Sequence, residues 1–222
     1  MTLPTQDFGP AGSLTGTKLA AWRGERMIFR DLDFRLDSGG AIVLKGPNGA
    51  GKSTLLRMVA GFLPVAGGTL AWDDTPVSEE PDEHRSRLCY LGHLDAVKPV
   101  FTVRENIDFW GRMAGVADIE ARMAAVLERF SLVELTDQPA RFLSAGQKRR
   151  TALARLGVTS ARIWLLDEPT VSLDTASVGA LASLIAEHRA RGGMVMIATH
   201  IDLGFTDYQE LDLRAFTGRT AA

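Results

Sequence analysis

The stretch that most constrains this chain is Gly46-Pro47-Asn48-Gly49-Ala50-Gly51-Lys52-Ser53. It matches the phosphate-loop pattern G-x-x-x-x-G-K-[ST] at every fixed position. Its surroundings also fit. Ala41-Ile42-Val43-Leu44 before it is a short apolar run with β-branched members, which predicts a buried strand. Thr54-Leu55-Leu56-Arg57-Met58-Val59-Ala60 after it favours a helix that stops at Gly61. Glycines let a backbone turn its N–H groups around a phosphate, and a following helix adds about half a positive charge at its N-terminus. Gly46 to Thr54 is therefore the expected nucleotide-binding stretch, with Lys52 on the β- and γ-phosphates and the Ser53 hydroxyl on Mg²⁺.

The rest of the sequence fills in an α/β chain. Leu14 to Trp22 and Met27 to Phe29 read as strands joined by a turn at Arg23 to Arg26, and Leu32 to Leu36 alternates as a half-buried strand does. Further strands are expected at Thr69–Trp72, Leu88–Leu91, Ile163–Leu166, Met194–Ala198 and Gln209–Leu213, with Asp73 to Glu83 a loop. Thr102 and Glu105 have capping-box spacing, and apolar residues recur at helical intervals from Val103 to Met113. A second helix is expected from Ile119 to Phe130, a third from Ser144 to Val158, and a fourth from an Asp174 cap to Arg191. Strands alternating with helices predict a mostly parallel sheet with its ligand at the carboxyl edge. Residues 1–12 read as a flexible lead-in and 13–222 as one domain, into which about 95–160 insert a helical subdomain. Phe101, Phe109 and Trp110 read mainly as packing within that insert.

Composition excludes several classes. The chain has 222 residues and a net charge of −2, which gives no electrostatic reason to expect a nucleic-acid partner. Its single cysteine, Cys89, rules out an intrachain disulfide framework and reads as a core residue. No run approaches the length of a membrane span, and the N-terminus lacks the charged-then-apolar pattern of a secretion signal.

A phosphate loop serves kinases, GTPases and ATPases alike, so the acids must narrow the choice. Asp167 follows four apolar residues at a strand end, the position of a magnesium-organising carboxylate, and the adjacent Glu168 faces differently and can take a proton from water. His200 also follows a buried strand and is expected on the same edge, near a γ-phosphate or water. His84 and His188 receive no role.

With these residues in view, Leu143-Ser144-Ala145-Gly146-Gln147, together with Lys148 to Arg155, resembles the signature of ABC ATPases. Asp167-Glu168-Pro169-Thr170, Ser172-Leu173-Asp174 and Thr199-His200 look like that family's Walker B, D-loop and H-loop in order, and the resemblance runs from about Leu14 to Leu213. It implies an α/β phosphate-loop NTPase of ABC type, with an N-terminal antiparallel β region and an α-helical subdomain. It implies ATP and Mg²⁺ as cofactors and a head-to-tail dimer with a second copy, in which Ser144, Gly146 and Gln147 bind nucleotide from the opposite subunit. By the same resemblance Glu168 polarises the water, His200 holds the γ-phosphate, Asp174 links the two sites, and Ser53 and Asp167 serve the metal. The family's Q-loop glutamine is replaced by His93, which takes that metal and water position. Trp22 is the nearest candidate to stack on adenine, although an ungapped placement puts Arg23 there. Leu91-Gly92-His93, Lys98-Pro99 and Leu143 to Arg150 further resemble the ATP-binding subunits of haem exporters of cytochrome c maturation. That resemblance implies a peripheral subunit on the cytoplasmic face of a bacterial inner membrane, bound to integral membrane subunits and serving haem and a haem chaperone. Other exporters, a soluble ABC protein of DNA repair or translation, and a small-molecule kinase are the alternatives.

Overall fold

The computed structural model describes Phe8 and residues 11–217. Most of the lead-in expected over Met1 to Gly12 lies outside the described residues. Its end is anchored: Gly12 N–H donates to Ser38 Oγ at 2.8 Å, and Gly12 accepts from Ser38 N–H at 3.0 Å.

The first sheet is antiparallel. β1 (Ser13–Arg23) pairs with β2 (Arg26–Asp37) on one side and β4 (Gly67–Trp72) on the other, and β5 (Thr75–Pro76) closes the edge. The two short strands expected at Met27–Phe29 and Leu32–Leu36 are one. Asp31 absorbs the irregularity at φ +52, where the β1–β2 register shifts without breaking the strand.

The second sheet is parallel throughout, in the order β6 (Leu88–Leu91), β7 (Ile163–Asp167), β8 (Met194–Ala198), β3 (Ala41–Lys45), β9 (Gln209–Asp212). Both faces of its central strands are covered, which is why they read as unbroken apolar runs. Ile42, Leu44, Ile163, Leu165, Met194 and Met196 share one core with α1 (Lys52–Val59) and the antiparallel sheet. Val43, Cys89, Leu91, Trp164, Leu166, Val195 and Ile197 face the other core, with α3 (Val103–Met113), α4 (Ile119–Arg129), α5 (Ala145–Val158) and α6 (Thr175–Ala190). The period-2 alternation of a strand thus divides the chain into two cores. Helices α3 and α4 pack on α5 and on each other.

The polar stretch expected to be loop holds β5 and α2 (Pro81–Ser86). Proline at a first helical position costs nothing, because its missing N–H has no partner there anyway. Only His84 of α2 is buried, so no apolar periodicity announces that helix. His84 and His188 are both core residues rather than surface ones. His188 stacks on Trp164 at 3.8 Å between ring centroids, and burial pushes its pKa down to about 3. The capping box at Thr102 and Glu105 forms as expected. Among the described residues no helix is long and apolar enough to cross a membrane.

Candidate nucleotide site

In the parallel sheet, register decides which residues meet. Leu91 pairs with Leu166, Leu166 with Ile197, and Ala198 with Leu44. The residues just past these strand ends therefore emerge along one edge: His93 after β6, Glu168 after β7, His200 after β8 and Gly46 after β3. Phosphate loop, acid pair and His200 come together, with His93 on the same edge, because four parallel strands stop in step.

The loop's curvature rests on glycine. Gly46, Gly49 and Gly51 have φ of +131, +83 and +103, a region that L side chains rarely adopt. Gly51 has a second reason to lack a side chain, since a Cβ there would stand 2.7 Å from Ile28 Cγ2 and 3.1 Å from Phe29 Cδ1. The β1–β2 hairpin thus presses directly on the loop. Trp22 is the register partner of Met27, next to Ile28, and about half of its surface is exposed. Lys52 is buried, and its ammonium donates to the carbonyls of Gly46 at 2.8 Å and Pro47 at 3.4 Å. An ammonium has three protons, so one remains for a ligand oxygen.

Ser53 Oγ donates to Asp167 Oδ1 at 3.0 Å, joining the start of α1 to the end of β7. Glu168 follows at φ +47, its N–H held by the Ala198 carbonyl at 2.8 Å. Its Oε1 lies 3.3 Å from Nε2 of His200. The Thr170 and Thr199 hydroxyls meet at 3.3 Å, and Thr199 Oγ1 accepts from Ile201 N–H at 3.1 Å, which fixes the chain on both sides of His200. Both threonines belong to the motif stretches Asp167-Glu168-Pro169-Thr170 and Thr199-His200, without a role of their own in the sequence. Their signal was their place just past two strand ends.

The other candidate residues stand elsewhere. Ser144 caps α5: its Oγ accepts from Gln147 N–H at 3.3 Å, while Gln147 Oε1 accepts from Ser144 N–H at 2.8 Å. Gln147 is thereby engaged in its own helix start, and the Ser144 hydroxyl keeps its proton free to donate. A Cβ on Gly146 would come within 2.9 Å of the Ser172 carbonyl, so this glycine permits close approach of the turn before α6. Asp174 caps α6 through Ser177 N–H at 2.8 Å, and the hydrogen bonds from Ser177 hold its carboxyl below the usual carboxylate range. His93 is exposed beside the edge. No group of three His, Cys, Asp or Glu able to hold a metal occurs among the described residues. The oxygen pair Ser53 and Asp167 nevertheless suits a hard cation that takes its remaining ligands from phosphate and water.

A phosphate loop feeding a helix, a serine–aspartate oxygen pair and a glutamate–histidine pair on one sheet edge define a phosphate-loop nucleotide hydrolase. The family model described as ABC transporter matches residues 29–171. The cytochrome c biogenesis ATP-binding export protein CcmA of Paramagnetospirillum magneticum is 50% identical over 206 residues, covering 92% of this chain and 95% of that protein. Its namesake in Rhodospirillum rubrum is 52% identical over 188 residues, covering 85% and 80%. In fold, a putative ABC transporter ATP-binding protein from Pyrococcus furiosus superposes with a TM-score of 0.80 at 22% identity, over 93% of this chain and 100% of that one. The chain belongs to the ABC transporter family of ATP-binding proteins and, within it, to the cytochrome c biogenesis ATP-binding export proteins. It is an ABC-type ATPase.

Proposed function

We propose that this chain is the ATP-driven motor of a membrane complex that exports haem, or releases a haem-loaded chaperone, for c-type cytochrome assembly. The single observation that carries the motor reading is the placement of Ser53–Asp167 and Glu168–His200 on one sheet edge beside the phosphate loop. The haem reading draws its support from the relatives' role in cytochrome c biogenesis.

In this reading the loop N–H groups and Lys52 hold the phosphates, and Trp22 stacks on the adenine. Ser53 and Asp167 would hold Mg²⁺, which would supply positive charge to offset that of the β- and γ-phosphates. Glu168 takes a proton from water as its oxygen attacks the γ-phosphorus and the bond to the ADP oxygen breaks. His200, oriented by Thr199, contacts the γ-phosphate and the Glu168 carboxylate. His93 stands in for a water- or metal-contacting glutamine. Ser144 and Gly146 of a second copy would close the site with a hydroxyl and helix-start N–H groups, a contact that lasts only while the γ-phosphate does. Hydrolysis then opens the pair.

Integral membrane subunits would dock on the helical subdomain. Phe101, Phe109 and Met113 line a surface cleft of about 380 Å³. The Pro99 and Phe101 carbonyls accept from Arg141 and Ala140 N–H, which brings the exposed Val100 and Phe142 to the same region. Deletion of the gene followed by a haem stain for c-type cytochromes tests the cargo. Loss of stained cytochromes, restored by the wild-type chain and not by Glu168→Gln, is the expected result. Normal cytochromes c in the deletion strain would overturn the haem assignment.

A further inference from the structure

Arg149 lies on α5, within two turns of Ser144, and is almost fully buried at 3% exposure. A buried guanidinium needs partners for all five of its N–H donors. Arg149 has five acceptors in range. Nε donates to the Pro169 carbonyl at 3.0 Å, and Nη2 to the carbonyls of Asp167 at 3.3 Å and Glu168 at 2.7 Å. Nη1 donates to the Gly92 carbonyl at 3.2 Å and to Asp95 Oδ1 at 2.9 Å.

One planar fork therefore grips three successive carbonyls of the turn that carries Glu168, and both sides of His93. Glu168 sits in the left-handed backbone region, which a non-glycine residue keeps only when its surroundings insist on it. The N–H of Glu168 is fixed from β8, and its carbonyl is fixed by Arg149. Asp95 is the one charged partner in the set, and it lies in the loop that also displays the exposed Leu94.

We propose that Arg149 is a positioning residue for ATP hydrolysis and that its ion pair with Asp95 makes the Glu168 turn responsive to the loop after β6. The proposal rests on Glu168 being the group that activates water. Displacement of that loop would pull on the same guanidinium that sets the Glu168 backbone, so turnover would follow the position of the loop. The start of α5, which carries Ser144 and Gly146, belongs to the same body, so closure on a second copy would be felt along the same route. Lysine cannot replace the fork, because a single ammonium with three protons cannot span carbonyls on two segments.

The test uses the purified full chain and its Arg149→Lys, Asp95→Asn and double variants, with ATP turnover and fluorescent-ATP binding measured on each. Arg149→Lys is expected to lower kcat about 10-fold or more while nucleotide affinity stays within about 2-fold, the split expected when orientation rather than binding is lost. Asp95→Asn should lower kcat about 3-fold in the wild-type background and have no effect in the Arg149→Lys background, since coupled residues are not additive. In a Glu168→Gln chain, Arg149→Lys should cause no further fall. Unchanged kcat in Arg149→Lys, a loss that follows nucleotide affinity, or additive effects in the double variant would overturn the proposal. If Arg149→Lys fails to fold, Asp95→Asn decides, and unchanged kcat there overturns it. A wild-type chain without ATPase activity, or a fully active Glu168→Gln, would instead overturn the reading of the site itself.

Discussion

Glu168 is held by its backbone before its carboxylate does anything. At φ +47, with its N–H on Ala198 and its side chain 3.3 Å from His200, it is aimed rather than free. Glu168→Gln keeps the shape and removes the proton acceptor, so kcat should fall by about 10² to 10⁴ with ATP affinity preserved, as measured by steady-state turnover against nucleotide titration. Ser53→Ala leaves Asp167 without its hydroxyl partner, and the Mg²⁺ concentration for half-maximal turnover should rise; an unchanged Mg²⁺ dependence would remove Ser53 from the metal. His188 bears on stability instead. Its folded pKa, about 3, lies below the ordinary 6.5 because burial disfavours the charged form. The unfolded chain therefore binds the extra proton first as pH falls, so this contribution is intact above 6.5 and is lost progressively toward 3. Between pH 7.5 and 5.5 it should cost roughly 1 kcal/mol of unfolding free energy, and His188→Gln should reduce the pH dependence by that amount in urea titrations. An unchanged slope in the variant would contradict the assignment.

At the scale of elements, capping chemistry was legible in the sequence and buried polar residues were not. Thr102 and Glu105 predicted the start of α3 by spacing alone, Asp174 predicted the start of α6, and both caps form. Thr102→Ala should cost about 1 kcal/mol in urea unfolding. The strands that feed the site were equally legible, because burial on both faces leaves apolar runs that end where chemistry begins. By contrast, α2 is a short polar helix whose one buried residue is a histidine, and β2 continues through a positive-φ aspartate. Neither writes a periodic signal. Arg149 has no role of its own in the sequence, where it is one basic residue within the signature-like stretch, and only the fold brings five acceptors around it. The family resemblance gives Gly146 to nucleotide binding across a dimer, whereas the structure also requires it for close approach to Ser172. Gly146→Ala should therefore displace the turn before α6 and lower turnover more than nucleotide affinity.

For the whole molecule, the phosphate loop and the signature helix belong to one chain, yet their chemistry is assigned to two copies. The hydrogen bonds of Ser144 and Gln147 stay within their own helix start, while Lys52, Ser53 and Asp167 form a connected group at the sheet edge. The sequence motifs supplied both halves in order, but spacing along a chain cannot say which half faces which partner. Mixing two inactive variants, Lys52→Ala and Ser144→Arg, measures this directly. In a head-to-tail pair the mixed dimer joins the intact loop of one chain to the intact signature of the other. ATP turnover should then return on mixing, to about a quarter of the wild-type rate at equal amounts if the two sites act independently. Failure to recover activity at any mixing ratio would contradict a site built from two copies.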